Sequence, residues 1–241
     1  MSLLLKNYSV TKEEKKLLQT ISFELPIGEI HVLMGPNGAG KSTLSNALSG
    51  HPLYSEDGEI IIDGQSVLTR SAEERAKAGL FVSFQQAIPI PGLSYVQFIK
   101  AAKSALTGEQ LDPIVFYKEL VALAESQHID PTLLQKNVGD NLSGGERKKL
   151  ELLQILALKP KYLILDEIDA GLDITSVASI TEAINEYVQH GHAALVITHH
   201  PEIAELFNPQ KVYILNKGSI VKVSDKHIIT EIKKDGYKQY V

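Results

Sequence analysis

The feature of this sequence that most restricts its fold is a glycine-rich turn between a short apolar run and a helical stretch. The run Glu29 to Met34 has the character of a buried strand, and Lys41 to Leu48 has that of a helix. The turn fits the pattern G-x-x-x-x-G-K-[ST], and the strand before it and the helix after it are the context that supports a phosphate-binding loop. The candidate binding residues are Gly35, Pro36, Asn37, Gly38, Ala39, Gly40, Lys41, Ser42 and Thr43.

The residue types in this loop suit phosphate chemistry. Glycines let the backbone wrap tightly and aim its N–H groups at phosphate oxygens, and the positive end of the following helix adds to that field. We expect Lys41 to reach the β- and γ-phosphates of a nucleotide and the Ser42 hydroxyl to ligate Mg²⁺. The alternative is a chance match, which average residue frequencies make about 1% probable in a chain of this length.

A second candidate phosphate contact is the sequence Leu142-Ser-Gly-Gly-Glu146, which precedes a helical stretch from Arg147 to Leu158. Ser143 and Glu146 form the S-x-x-E pattern of a capping box, which is the structural alternative. A capping box does not call for two glycines, which weaken a helix. Bare N–H groups at a helix start suit an anion, so Ser143 and Gly145 are candidate contacts for a γ-phosphate.

Two acids follow the apolar run Tyr162 to Leu165. Side chains at the carboxyl end of a strand in an open α/β sheet reach the ligand crevice. We therefore expect Asp166 to hold Mg²⁺ and Glu167 to orient and polarise the attacking water. The alternative is a pair of loop acids that cap the next helix.

These segments, in this order, resemble the ATP-binding-cassette family. The sequence beginning at Leu142 resembles the LSGGQ-type signature, and Ala170 to Asp173 resembles the SGLD turn that meets the partner subunit. In the same comparison His199 matches the switch histidine that contacts the γ-phosphate. Gln85 matches the glutamine that senses Mg²⁺ and water and passes motion to a partner.

The resemblance implies an α/β fold: a P-loop NTPase core with an N-terminal antiparallel β subdomain and an inserted helical subdomain. It implies an Mg²⁺-dependent ATPase whose ATP sites are completed when two chains meet head to tail. Ser143 and Gly145 of one chain would then face the nucleotide of the other. The implied catalytic residues are Lys41, Glu167 and His199, and the implied Mg²⁺ ligands are Ser42, Gln85 and Asp166.

The pattern along the chain predicts one domain over residues 1–241, with a core of residues 1–93 and 139–241. Residues from about 94 to 138 are predicted to form the helical subdomain, with breaks at Gly108, Pro113 and Pro131. We expect antiparallel hairpins at both ends of the chain, the second turning at Lys217-Gly218. The tail from Lys226 to Val241 is predicted to be one more helix.

One expected feature of the nucleotide site is missing from this sequence, and one alternative metal site has little support. Family members carry an aromatic residue that stacks on adenine, but counting back from the loop places Lys12 there. Tyr8 is close by, and we interpret it as a half-buried strand residue. A metal site of His190, His192, His199 and His200 is an alternative that no Cys or acid spacing supports.

Several sequence segments resemble those of one branch of the family, SufC, the ATPase of the SUF iron–sulfur cluster assembly system. The strongest is Asp166 to Ile174, close to the branch's DETDSGLDI, and Phe207 to Lys222 also matches well. The implied partners are scaffold proteins similar to SufB and SufD. Residues Ala87 to Leu93 are a candidate docking surface or a plain loop. The alternative is the nucleotide-binding subunit of an ABC membrane transporter.

Composition excludes several other functions. The net charge of −5 gives no basic footprint for nucleic acid, and the sequence has no cysteine with which to hold a cluster. No apolar run approaches the roughly 20 residues that cross a bilayer, so direct membrane insertion is not expected. We expect a cytoplasmic protein that supplies ATP-driven motion while its partners supply the cluster ligands.

Overall fold

The computed structural model describes residues 1–83, 89–140, 142–168 and 174–240, with the backbone alone at 174 and 175. The chain divides into two compact units. The first comprises Met1–Phe84, Lys161–Ile168 and Ile184–Val241, and the second comprises Gln85–Pro160 and Asp169–Ala183. The predicted core and helical-subdomain boundaries stay a prediction.

The strands of the described residues all belong to the first unit and form two sheets. They are β1 (Ser2–Lys12), β2 (Lys15–Pro26), β3 (Ile30–Met34), β4 (Ser55–Ile62), β5 (Gln65–Ser66), β6 (Leu80–Val82), β7 (Tyr162–Asp166), β8 (Ala193–Ile197), β9 (Lys211–Asn216) and β10 (Ser219–Ser224). One sheet is antiparallel with the order β2-β1-β4-β5, and the other has the order β10-β9-β3-β8-β7-β6.

The predicted N-terminal hairpin is confirmed. β1 and β2 pair antiparallel, and only Glu13 and Glu14 separate them. Both residues have positive φ, 47° and 62°, which is the geometry of a two-residue turn that matches the twist of its strands. Tyr8 is fully buried rather than half-buried, and its hydroxyl donates to Glu56.

The apolar runs predicted as buried strands form the middle of the second sheet. β3, β8 and β7 lie side by side in parallel, and every residue of the three is buried. A strand covered on both faces needs an unbroken apolar run, which explains the pattern. Because the strands are parallel, their carboxyl ends lie at one edge of the sheet, where Met34, Asp166 and Ile197 end their strands.

The helices of the first unit are α1 (Lys41–Leu48), α2 (Ala72–Lys77), α7 (Pro201–Leu206) and α8 (His227–Asp235); α6 (Ile174–Gln189) spans the division between the units. The prediction of one helix over the whole tail is wrong. Gly236 ends α8 in a conformation with φ 64° and ψ −153°, and a 3-10 turn, Lys238–Tyr240, follows. The helix α7 and the three-residue strand β6 were not predicted from the sequence.

The second unit contains α3 (Tyr95–Thr107), α4 (Pro113–Ser126), a 3-10 turn (Pro131–Gln135) and α5 (Gly144–Leu158). The three predicted breaks are confirmed. Gly108 ends α3 in the left-handed region, while Pro113 and Pro131 take the first positions of the two elements that they begin. Of the described helices, none has the length and apolar character that crossing a bilayer requires.

Candidate nucleotide-binding site

The glycine-rich loop begins where β3 ends and leads into α1, as the sequence predicts. A Cβ on Gly35 would lie 2.1 Å from the carbonyl oxygen of Leu215 in the neighbouring strand β9, so only glycine fits there. The Gly218 N–H, in the turn of the β9–β10 hairpin, donates to the Ala39 carbonyl at 2.9 Å. Asn37 and Gly38 form the exposed tip of the loop, which is therefore fixed from the β9 side and open at its tip.

The lysine of the loop is folded back onto the loop backbone. Lys41 is only 7% exposed, and its Nζ donates to the carbonyl oxygens of Gly35 at 2.8 Å and Pro36 at 3.1 Å. Burial lowers the pKa of Lys41, while the nearby charges of Asp166 and Glu167 act to raise it. The ammonium group is thus a donor held close to two carboxylates, in a place where phosphate oxygens would be strong competing acceptors.

Asp166 lies at the end of β7 and is 2% exposed. Its Oδ2 accepts a hydrogen bond of 2.7 Å from the Ser45 hydroxyl, whereas its buried Oδ1 has no hydrogen-bond partner among the described residues. Burial raises the pKa of Asp166, and hydrogen bonds from Ser45 and Ser42 and the charge of Lys41 oppose that rise.

The surroundings of Asp166 fit a magnesium ion. Mg²⁺ is bound in proteins through one or two carboxylates and other oxygen ligands. An orphaned carboxylate oxygen beside the Ser42 hydroxyl supplies that donor set, and a cation would compensate the buried charge. The two described members of the predicted ligand set, Ser42 and Asp166, therefore lie together.

Glu167 directly follows β7 in an unusual backbone conformation. Its φ is 50°, in the left-handed region that costs a non-glycine residue roughly 1–3 kcal/mol, and its N–H donates to Ile197 at 3.0 Å. The carboxylate Oε1 lies 3.7 Å from Nδ1 of His199. That Nδ1 atom is buried and makes no hydrogen bond to any described residue. The sheet edge thus brings together Glu167 and His199, two of the residues that the family resemblance implies to be catalytic.

The histidines do not form the alternative metal site. His199 and His200 have ring centroids 3.9 Å apart. Within residues 1–83, 89–140, 142–168 and 174–240, however, no three His, Asp or Glu side chains gather as a metal-binding group of that kind.

The second unit carries Ser143 at the start of α5. Ser143 accepts the N–H of Glu146 at 3.2 Å, and the Glu146 carboxylate accepts the N–H of Ser143 at 2.7 Å. Both bonds of a capping box are present, so that structural interpretation is confirmed. Ser143 is nevertheless exposed, and Gly144 and Gly145 form the first turn. The predicted phosphate contact of Ser143 and Gly145 stays a prediction.

Two predicted segments lie outside the described residues: Gln85 and the Ala170–Asp173 turn. Two residues near the loop were missed. Ser45 lies four positions after Lys41, a spacing that places both on one face of α1 and could have revealed it. Tyr237, in the tail, has its hydroxyl buried beside Gly35, and no local pattern pointed to it.

A phosphate loop, a buried aspartate, a glutamate and a histidine at adjacent strand ends define the class: an α/β domain built to bind nucleotide phosphates. The family model described as "ABC transporter" matches residues 18–170, well over half of the 241 residues. The chain belongs to the ABC transporter family, as an ATPase domain of that family.

Curated relatives agree with this assignment, and a solved structure shares the fold. The chain is 37% identical over 234 residues to the Arabidopsis thaliana protein "ABC transporter I family member 6, chloroplastic", covering 95% of this chain and 69% of the relative. It is 35% identical over 239 residues to "Probable ATP-dependent transporter ycf16" of Trieres chinensis, covering 97% and 95%. A dimeric ATP-binding cassette bound to ADP and Pi, 21% identical, superimposes with a TM-score of 0.80 over 94% of this chain and 99% of that one.

Proposed function

We propose that this chain is a Mg²⁺-dependent ATPase that dimerises on ATP and drives a conformational change in an iron–sulfur cluster assembly scaffold. The observation that carries the ATPase part is the buried group of Lys41 and Asp166 with Glu167 beside it, at the carboxyl edge of β3 and β7. The whole chain, residues 1–241, acts as one cassette with residues 94–138 as its helical subdomain. It works in the cytoplasm, in keeping with a sequence that has no cysteine.

Each residue of the group has a defined part in phosphoryl transfer. The loop N–H groups from Gly35 to Thr43 hold the phosphates, and Lys41 turns from the Gly35 and Pro36 carbonyls to the β- and γ-phosphates. Ser42, Gln85 and Asp166 would hold Mg²⁺, which would neutralise charge on the phosphates. Glu167 orients the attacking water, and His199 contacts the γ-phosphate.

The site is completed by a second copy of the chain. Ser143 is exposed at the start of a helix whose N–H groups suit a γ-phosphate, and Gly145 lets the phosphate come close to the backbone. The likeness to a dimeric cassette that holds ADP and Pi supports the same arrangement. ATP then joins the two chains, and its hydrolysis releases them.

Replacing Glu167 by Gln tests this dimer. The amide keeps the shape of the side chain but cannot act as the base, so we expect hydrolysis to fall at least a hundredfold, the size of a general-base contribution. The variant should then elute as a dimer in size-exclusion chromatography with excess Mg-ATP and as a monomer without it. Glu167→Gln combined with Lys41→Ala is the control and should stay monomeric. A Glu167→Gln protein that remains monomeric with Mg-ATP contradicts the proposal.

The iron–sulfur role rests on the resemblance of Asp166–Ile174 and Phe207–Lys222 to the SufC branch. SufB- and SufD-like proteins would bind the cluster, and this chain, without cysteine, would supply the motion. Residues 89–93 of the candidate docking surface are described, and Ile90 among them is 39% exposed. An exposed apolar side chain in that segment is in keeping with a partner contact.

The alternative is the nucleotide-binding subunit of a membrane transporter, which is favoured by the names of the two relatives, since both contain the word transporter. Affinity purification of the tagged chain from its native host, from both the soluble and the detergent-extracted fractions, separates the two. Our proposal expects soluble partners that contain cluster-binding cysteines. Recovery of a partner with many membrane spans, and of no such soluble protein, would favour the transporter. A Lys41→Ala chain processed in parallel shows which contacts depend on ATP.

A further inference from the structure

The C-terminal segment, residues 226–240, belongs to the first unit and packs against the rest of that unit. Three isoleucines of α8, Ile228, Ile229 and Ile232, are buried. Lys226 Nζ donates to Asn208 Oδ1 at 2.8 Å, and Lys233 forms an ion pair of 2.5 Å with Glu205 of α7. The segment is therefore a fixed part of the unit that carries the phosphate loop.

The last turn of this segment reaches the phosphate loop. The side-chain amide of Asn216, the last residue of β9, donates to the Tyr240 carbonyl at 2.7 Å. Tyr240 N–H in turn donates to the Tyr237 carbonyl at 2.9 Å. Asn216 directly follows Leu215, whose carbonyl lies against Gly35. The turn Tyr237–Tyr240 is thus held beside the first residue of the loop.

Tyr237 places its hydroxyl against the backbone of Gly35. The hydroxyl oxygen is buried and lacks a hydrogen bond of good geometry to any described residue. Burial raises the pKa of Tyr237 to about 12, and the neighbouring Gly35 N–H acts in the opposite direction. The hydroxyl is consequently protonated near neutral pH and able to accept. A buried hydroxyl that lacks a partner costs stability, and a hydrogen bond to the neighbouring Gly35 N–H would remove that cost.

The other side of Gly35 is occupied by Lys41, whose Nζ bonds the Gly35 carbonyl. When Lys41 turns to phosphate oxygens, that carbonyl loses its donor and the backbone at Gly35 is released to readjust. We propose that Tyr237 is a positioning residue of the phosphate loop, whose hydroxyl accepts the Gly35 N–H when the loop holds ATP. This inference rests on the proposed function, because it assigns the bond to the ATP-bound loop.

The test is Tyr237→Phe in the full chain, with two measurements. The first is the dissociation constant for a non-hydrolysable ATP analogue with Mg²⁺. We expect three- to tenfold weaker binding, because one neutral hydrogen bond is lost in the bound state only. The second is the melting temperature without nucleotide, which should be equal to that of the wild type or higher, since the substitution removes an orphaned polar group.

Tyr240→Phe is the matched control. Its hydroxyl contacts Glu231 and Gln239, and its backbone bond to Asn216 is retained in the variant. We expect its affinity for the analogue to equal that of the wild type. Unchanged affinity in Tyr237→Phe overturns the inference. So does a loss of affinity matched by a lower melting temperature without nucleotide, or an equal loss in Tyr240→Phe. If the wild-type chain itself fails to bind the analogue, the proposed function fails together with this inference.

Discussion

Burial works against charge at two residues of the site. It lowers the pKa of Lys41 and raises that of Asp166, so each group is moved toward its neutral form. Two buried charges and an orphaned carboxylate oxygen lower the stability of the protein without its ligand, and these same groups are the ones that would bind the ligand. The cost should therefore be measurable in the protein without nucleotide.

Replacing Asp166 by Asn should stabilise the protein while it abolishes Mg²⁺-dependent hydrolysis. The folded pKa of Asp166 is raised above 3.8, so its contribution to stability is full below that value and is lost as pH rises through the folded pKa. At pH 7 the wild type bears the cost, and the amide, which still accepts from Ser45, does not. We expect a melting temperature about 2–4 °C higher, the shift that 1 kcal/mol produces in a chain of this size.

Asp63→Asn is the matched control. Burial of Asp63 is outweighed by hydrogen bonds from Lys161 and Tyr162, and its pKa is lowered. The same substitution should therefore lower the melting temperature at pH 7. If thermal unfolding at pH 7 shows both variants shifted downward, the account of Asp166 is wrong.

For individual residues, the sequence predicts those site residues that belong to a contiguous pattern. The loop from Gly35 to Thr43 and the pair Asp166 and Glu167 could be read directly, because each follows an apolar strand. The hydroxyl of Tyr237 could not, because its importance arises from a contact with Gly35, about two hundred positions away. No local spacing records such a contact.

Among the elements, α1 is held at both ends. Its first residue, Lys41, bonds the phosphate loop, and its last carbonyls, Ala47 and Leu48, accept from Nη1 of Arg75 at 3.0 and 3.2 Å. Arg75 is 2% exposed and also forms an ion pair of 2.6 Å with Glu56 of β4. A guanidinium group thus joins the carboxyl end of α1 to the antiparallel sheet, where a positive charge also suits the helix dipole.

Arg75→Lys should be strongly destabilising although the charge is kept. An ammonium group cannot make the forked contact with Glu56 and also satisfy the carbonyls of α1, so buried acceptors are left unpaired. We expect the free energy of unfolding in urea to fall by about 3 kcal/mol, toward the value for breaking a buried ion pair.

Lys77→Ala on the same helix is the control. Lys77 pairs with Glu73 at 2.7 Å, but both side chains are largely exposed, so we expect a loss of no more than about 0.5 kcal/mol. A loss of similar size in Arg75→Lys and Lys77→Ala would mean that the Arg75 contacts contribute little.

Elements with strong local signals were predicted well. The helix α1 follows the glycine-rich turn as expected, and α2 begins at a capping box of Ser71 and Glu74, a pattern that is visible in the sequence. The tail was predicted too long, because Gly236 ends α8 with a conformation that a helical pattern of residues does not reveal. β6 has three residues and is stabilised by pairing with β7, about eighty positions further along, so its own sequence carries little signal.

For the whole molecule, the sequence motifs predict the fold class, but the sequence does not predict which β-strands pair with one another. β3 lies between β8 and β9, and these partners are separated from it by more than 160 residues. Nothing local specifies that order. The resemblance to the ATP-binding-cassette family supplied the fold class but no strand order, and the likeness to solved cassettes confirms the fold. The fold does not specify the partners of the chain, so identifying them requires the affinity purification described above.

The turns of the first and the last β-hairpin look equally suitable for accepting a foreign peptide, but they differ in what surrounds them. Glu13 and Glu14 are exposed, so a tag or loop grafted between them would extend into solvent. Gly218 instead donates to Ala39, accepts from Gln19, and leaves only 2.3 Å between a Cβ built on it and the Leu17 carbonyl. A graft at Lys217 and Gly218 would pull directly on the phosphate loop, so protein engineers should place reporters and purification handles at the first turn.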